Sequence, residues 1–300
     1  MLPTPLQKIE NQLTKDKQLN LFIKREDLNH PTIQGNKFRK LKYNLAKAKA
    51  EKHTQILTFG GAFSNHIYAV AAAGKAFDIP TIGVIRGERI EPLNPTLQFA
   101  EANGMQLHFV TRSAYRNKHQ PEFIQDLKSK FGDFFLVPEG GSNELAVKGC
   151  AEIVDEIEIN YDYICSAVGT GGTLSGLIIG TNNHGKVLGF PALKGGNFLQ
   201  KDIQKLLDKN AKNYTNWQLI TDYHFGGYAK FKPELINFIN YFNQQFNIQL
   251  EPIYTGKMLF GIFDLIEKDF FEKGSTIIAI HTGGLQGIDG FNQRFGNLIL

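Results

Sequence analysis

Short apolar runs separated by amphipathic stretches recur along nearly the whole chain, and several of the runs end in glycine-rich loops. This alternation constrains the fold more than any other feature, because parallel strands need long crossovers, usually helical, and bury both faces. Residues 56–59, 81–85, 106–110 and 134–137 read as four buried strands, with helices over 65–77, 95–103 and 121–131 between them. A second series follows Gly140-Gly141-Ser142: a helix over 144–157, a strand over 163–168, a helix from Thr173, and strands over 187–190 and 217–221. Helices over 233–246 and 256–271 and a strand over 276–280 complete it. The expected class is therefore α/β, with two open parallel or mixed α/β units.

A chain of 300 residues exceeds the size that one core usually serves. The expected division places a small α/β domain, residues 42–147, inside a discontinuous large domain formed by residues 1–41 and 148–300. Composition excludes several classes. The chain is 42% hydrophobic and 21% charged, with a formal charge of +4, which fits a globular protein with an anionic ligand. Lys8, Lys15, Lys47, Lys128 and Lys201 are scattered, so no basic block points to nucleic acid. Cys150 and Cys165 are too far apart for a metal-binding pair and too few for a disulfide framework, and no metal site is expected. Residues 1–20 are polar, and no apolar run approaches the length of a membrane span, so the expected location is the cytoplasm.

Four segments carry candidate chemistry. In Gln34-Gly35-Asn36-Lys37-Phe38-Arg39-Lys40, a glycine turn sets Lys37 at the start of a helix. A desolvated or cation-flanked lysine becomes nucleophilic and can form a Schiff base with a carbonyl cofactor. The strand over 56–59 runs into Gly60-Gly61-Ala62-Phe63-Ser64-Asn65-His66, where Ser64 near a helix N-terminus could receive a carboxylate or simply cap the helix. Gly169-Thr170-Gly171-Gly172-Thr173 follows another strand, and its glycines with a helix N-terminus suit a phosphate or a tight structural turn. His281-Thr282-Gly283-Gly284 follows a third strand, and the Thr282 hydroxyl could meet a buried ring nitrogen or close its own loop. A nucleophilic lysine, a phosphate cradle, an asparagine loop and a hydroxyl for a ring nitrogen together match the polar groups of pyridoxal 5′-phosphate.

On these residues the chain resembles the pyridoxal-phosphate enzymes that include 1-aminocyclopropane-1-carboxylate deaminase and D-cysteine desulfhydrase. Ile23-Lys24-Arg25-Glu26-Asp27-Leu28, Gly35 to Leu41, Ser64-Asn65-His66, Gly169 to Thr173, Tyr254-Thr255-Gly256-Lys257 and His281 to Gly284 fall in the family's order. The resemblance implies fold type II, as in tryptophan synthase β-subunits, with a cofactor between a large and a small domain, and a homodimer. It implies that Lys37 carries the cofactor, Asn65 meets its phenolic oxygen, and Gly169, Thr170, Gly171, Gly172 and Thr173 bind its phosphate. Ser64, Asn65 and His66 would receive the substrate carboxylate, with Tyr228 and Tyr254 lining the substrate side, and Lys37, Ser64 or Tyr254 would take the proton.

The two branches of the family differ at two positions. Deaminases typically carry Glu after the tyrosine of Tyr-x-Gly-Lys and Leu between His and Gly-Gly, whereas this chain has Thr255 and Thr282. Both threonines are expected beside the cofactor, where a hydroxyl leaves the ring nitrogen a weaker electron sink than a carboxylate would. The expected activity is α,β-elimination on a small D-amino acid, D-cysteine first. Ring-opening deamination of the cyclopropane acid is the alternative, and a non-catalytic carrier of the cofactor or another phosphometabolite is the second alternative.

Overall fold

The computed structural model describes residues 2–210 and 212–300. In chain order the elements are β1 (Leu6–Ile9), α1 (Gln12–Asp16), β2 (Asn20–Lys24), α2 (Asn36–Ala50), β3 (Ile56–Gly61), α3 (Asn65–Phe77), β4 (Thr81–Arg86), α4 (Pro95–Ala102), β5 (Met105–Val110), α5 (Arg112–Arg116) and α6 (Pro121–Phe131). They continue with β6 (Phe135–Val137), α7 (Glu144–Asp155), β7 (Tyr163–Val168), α8 (Gly172–Thr181), β8 (Lys186–Pro191), α9 (Leu199–Leu207), β9 (Trp217–Leu219), α10 (Pro233–Phe246), α11 (Thr255–Glu267), β10 (Thr276–Ile280) and α12 (Gly287–Phe295).

Two sheets result. A six-stranded sheet has the order β1-β2-β10-β7-β8-β9, and a four-stranded sheet has the order β5-β4-β3-β6. Among the described residues only the β1–β2 pairing is antiparallel, so the larger sheet is mixed and the smaller one wholly parallel. Leu57, Val84 and Val137 in the small sheet and Ile164, Val187 and Ile278 in the large one are fully buried, as two-sided coverage by helices requires. Each such side chain contributes about 1.5–3 kcal/mol of burial. These cores make the strand ends rigid supports for the loops. This is the fold type II architecture.

Helix ends follow local chemistry. Ser64, Asn94, Thr111 and Asn143 cap α3, α4, α5 and α7 with side-chain oxygens. Asp78 and Asn247 stop α3 and α10 in the left-handed region, at φ 53° and 52°. The helix expected to reach residue 271 ends at Glu267, because Asp269 turns to φ 55°. The segment from Leu199 to Leu207, to which the sequence reading assigned no element, is α9, which buries Leu199, Ile203 and Leu207 on one side. Residues 41/42 and 147/148, where the sequence places domain boundaries, lie inside α2 and α7, and these helices pack on each other. We read the pair as the joint between the lobes. Among the described residues no helix is long and apolar enough to cross a membrane.

Candidate active site

The strand order decides where the loops meet. β2, β10 and β7 are neighbours and run parallel, so their carboxyl ends open on one edge of the large sheet. From them issue the segment leading to Lys37, the loop His281–Gly284 and the loop Gly169–Thr173. β3, central in the small sheet, delivers Ser64 and Asn65 from the other lobe. Ligand sites of open α/β sheets form in this position. Here the loops enclose a cavity of about 830 Å3 lined by Lys37, Ser64, Asn65, His66, Gly169, Thr170, Gly171, Thr173, Tyr228, Tyr254 and Thr282.

Lys37 owes its position to Gly35 and Asn36. Gly35 has φ 67°, and a Cβ there would sit 1.9 Å from the carbonyl oxygen of Thr282, so only glycine lets α2 begin against the β10 loop. The Asn36 N–H donates to that carbonyl at 3.2 Å. The Asn36 carboxamide donates to the Thr173 hydroxyl at 2.8 Å, joining the start of α2 to the start of α8. Its oxygen accepts from the Lys37 amine at 3.0 Å. Burial, and secondly the nearby cation of Lys40, lower the Lys37 amine to about 7. Near neutral pH a large share of it is thus the free, nucleophilic amine.

A buried ionic cluster beneath Lys37 explains the Lys24-Arg25-Glu26-Asp27 segment. The Arg39 guanidinium donates to both oxygens of Glu26, at 2.8 and 2.9 Å, and pairs with Glu156 at 2.7 Å. Lys24 donates to Glu156 at 2.9 Å and to the Thr4 carbonyl at 2.7 Å. Asn29 donates to Glu26 at 3.1 Å and brackets Gly35, donating to its carbonyl at 2.9 Å and accepting from its N–H at 3.0 Å. The motif therefore anchors the turn that aims the lysine.

The Gly169–Thr173 loop forms a cradle for an anion. Gly171 has φ 83° and starts α8, and a Cβ on Gly169 would press to 3.2 Å on the Tyr254 ring. The Thr170 hydroxyl is 2.5 Å from that of Ser142, and Ser142 accepts from Lys40 at 3.2 Å. Lys40 also donates to the Gly140 carbonyl at 2.9 Å. A buried lysine thus stands beside backbone N–H groups at a helix N-terminus. Gly172 is not on the cavity wall, because its α-carbon packs against Ser142.

Ser64 Oγ accepts from the His66 and Ile67 N–H groups at 3.2 and 3.3 Å, leaving its own proton to donate into the cavity. The Asn65 carboxamide lies over the β10 loop, where a Cβ on Gly284 would meet its nitrogen at 2.7 Å. His66 turns inward. The Thr58 hydroxyl donates to the Val137 carbonyl at 2.8 Å, so it must accept from His66 Nε2, also 2.8 Å away, and Nδ1 is left as an unprotonated acceptor with no partner. Burial, with Lys37 and Lys40 nearby, keeps the His66 ring well below the ordinary histidine range. Its backbone N–H, rather than its ring, stands at the N-terminus of α3, donating to Ser64 Oγ.

Tyr254 and Tyr228 meet edge to face, with ring centroids 6.1 Å apart. Burial, then the nearness of Tyr228 and Glu251, hold the Tyr254 phenol well above the ordinary range, which makes it a proton donor and not a base. Thr282 lines the cavity, but Thr255 does not. Thr255, the first residue of α11, turns its hydroxyl to Glu251 in the preceding segment, donating at 3.2 Å, and so lies off the cavity wall, which corrects the expectation that it sits beside the cofactor. Glu251, completely buried, accepts the N–H groups of Ile253, Tyr254 and Thr255 at 2.7, 2.8 and 2.6 Å. Its carboxyl is held up by burial.

Sequence reading missed Gln34, Lys40, Arg86, Ser142 and Gln286, all on the cavity wall. Lys40 alone had a visible signal, since it follows Lys37 by three residues on one helix face. The carbonyl oxygens of Gln34 and Gln286, like His66 Nδ1, are buried without partners. Orphaned acceptors around one cavity, a poised amine and a glycine cradle fit a phosphorylated aldehyde whose ring carries its own polar groups.

The sequence profile of pyridoxal-phosphate-dependent enzymes matches residues 1–283. The chain belongs to that family. A Pyrococcus horikoshii protein assigned as a 1-aminocyclopropane-1-carboxylate deaminase is 30% identical over 308 residues, covering 99% of this chain and 94% of the relative. The bifunctional D-cysteine desulfhydrase/1-aminocyclopropane-1-carboxylate deaminase of Arabidopsis thaliana mitochondria is 29% identical, over 96% of this chain and 77% of its own. The crystal structure of an ACC deaminase homologue superposes with a TM-score of 0.87 at 29% identity, covering 99% of this chain and 94% of the other. The protein is thus a pyridoxal-phosphate enzyme of the lyase/deaminase type, and within this family Lys37, Lys40 and the Gly169–Thr173 cradle are the groups suited to hold the cofactor.

Proposed function

We propose that this enzyme catalyses α,β-elimination on a small D-amino acid, D-cysteine foremost. With one water, cysteine gives pyruvate, ammonia and hydrogen sulfide; the α-proton leaves to a base, and the carbon–sulfur bond breaks with its electron pair going to sulfur. Bound pyridoxal phosphate supplies the electron sink for the charge developing at the α-carbon. The chain's own groups do the rest. The Ser64 hydroxyl and the N-terminus of α3 orient the substrate carboxylate. Lys37, with its lowered proton affinity, is matched to exchanging the α-proton near neutral pH. Tyr254, protonated, is suited to donate to the departing side and not to receive.

The observation that carries this reading is Thr282 on the cavity wall, where deaminases of the family typically hold leucine. The correction at Thr255 leaves that support standing, because no carboxylate faces the cavity from position 255. The names of the relatives favour a second reading, opening of the cyclopropane acid to 2-oxobutanoate and ammonia. Incubation with D-cysteine, L-cysteine, D-serine and the cyclopropane acid, measuring 2-oxo acid and sulfide, separates the two. Sulfide from D-cysteine alone supports elimination, consumption of the cyclopropane acid alone overturns it, and a yellow protein inert to all four returns the carrier reading. The resemblance also leads us to propose a cytoplasmic homodimer, which sedimentation of the purified protein tests as to subunit number.

A further inference from the structure

The cavity is wider than its central chemistry needs. Beyond the Lys37 end it continues to the carboxyl end of β4, where Arg86, His119 and Glu139 form the wall. Arg86 is exposed there and lies over the last residue of β3: a Cβ on Gly61 would stand 3.4 Å from Nη2. This is the same loop that carries Ser64. Its guanidinium rests on the Tyr115 ring, 5.7 Å from the centroid, and makes no ion pair among the described residues.

The nearby carboxylate is already engaged. Glu139 accepts from the Tyr115 hydroxyl at 2.9 Å and pairs with Lys118 at 3.3 Å. Burial and then Lys118 lower the proton affinity of His119, against a smaller opposing effect of Glu139. With Glu139 held by Lys118 and Tyr115, Arg86 is the cation of this wall that no carboxylate claims among the described residues. Tyr228, also on the cavity wall, lies within electrostatic range of both Arg86 and Glu139. A planar guanidinium held over an aromatic ring, with its donors unclaimed, is the usual recognition element for a carboxylate or other oxyanion.

We propose that Arg86 is a specificity-determining residue that receives an anionic group on the substrate side chain, so that among the small D-amino acids the site takes, those with a second negative group are held more tightly than their neutral isosteres. This inference rests on the reading of the site as one for amino acids held on pyridoxal phosphate. The α-carboxylate goes to the Ser64 end of the loop and the distal anion to Arg86 above Gly61. The acidic class is thereby distinguished from its neutral amides by charge and not by size.

Equilibrium binding to the holoenzyme tests this without turnover, using the change in cofactor absorbance on titration with D-alanine, D-aspartate and D-asparagine. D-Aspartate is expected to bind about tenfold more tightly than D-asparagine, as one charge-assisted contact at an exposed site provides. In Arg86→Met the ratio falls to near one, and in Arg86→Lys part of it returns. A ratio near one in the unaltered enzyme, or the same ratio in Arg86→Met, overturns the proposal. D-Alanine separates the two levels of inference. If it perturbs the spectrum while the acid and amide bind alike, only the role of Arg86 falls; if no amino acid perturbs it, the functional reading falls and this one with it.

Discussion

Replacing Arg39 with leucine tests the platform beneath Lys37. The side chain is 1% exposed and holds Glu26, 0% exposed, through two hydrogen bonds. After the change, Glu26 retains the Thr4 hydroxyl at 2.6 Å and the Asn29 amide at 3.1 Å but loses its cation. Glu156 keeps Lys24, so the damage concentrates on Glu26. Removing one partner of a buried ion pair costs about 3–5 kcal/mol, because a charge is left desolvated and uncompensated. At about 2–4 °C per kcal/mol, melting should fall by roughly 10 °C. Circular dichroism melting of Arg39→Leu, Glu26→Gln and the double variant provides the assay. The double variant should recover most of the loss, since replacing a whole buried pair is far less costly than breaking it. A loss below about 1 kcal/mol in Arg39→Leu, or strict additivity in the double variant, would refute the reasoning.

Four further outcomes follow from the site. Uptake of pyridoxal phosphate by apoprotein should accelerate with pH up to about 7 and then level off as the Lys37 amine sheds its proton, and Lys40→Met should move the midpoint upward by removing a neighbouring cation; rapid-mixing absorbance checks both. Between about 7 and 10.5 the unfolded apoprotein holds a proton on Lys37 that the fold has released, so the contribution of this residue to stability is lost as pH falls through that window, which denaturation midpoints of wild type and Lys37→Met compare. Gly35→Ala should abolish cofactor retention on dialysis, since its Cβ would collide with the Thr282 carbonyl at 1.9 Å. Ser64→Ala should cost about 1 kcal/mol of stability through the lost cap and raise KM for the amino acid.

Much of this was legible in the sequence because continuous apolar runs mark strands buried on both faces. Residues 56–59, 81–85 and 163–168 declare themselves in that way, and each is followed within two residues by glycine. β1 and β2 were not legible. Gln7 and Lys8 break the first, and in the second Lys24 is buried only because Glu156 and the Thr4 carbonyl receive its charge, which no local pattern reveals. α9 was legible and overlooked: Leu199, Ile203 and Leu207 repeat at intervals of four. Among the site residues, Lys37, Ser64 and Thr282 were found, whereas Arg86, Ser142 and Gln286 were not: Ser142 follows Gly140-Gly141 and Gln286 lies just beyond Gly284, and only the fold brings them to the cavity. Thr255 shows the opposite failure. It neighbours Tyr254 in the chain, yet the first turn of α11 rotates it onto Glu251.

The central claim is that one amine, on Lys37, is joined to pyridoxal phosphate. Borohydride reduction of the yellow holoprotein followed by proteolysis and mass spectrometry measures this most directly. The account predicts a phosphopyridoxyl group on the peptide containing Gly35-Asn36-Lys37 and on no other, with Lys37→Ala colourless and unlabelled. Label on Lys40, Lys257 or another lysine, with Lys37 unmodified, would contradict it.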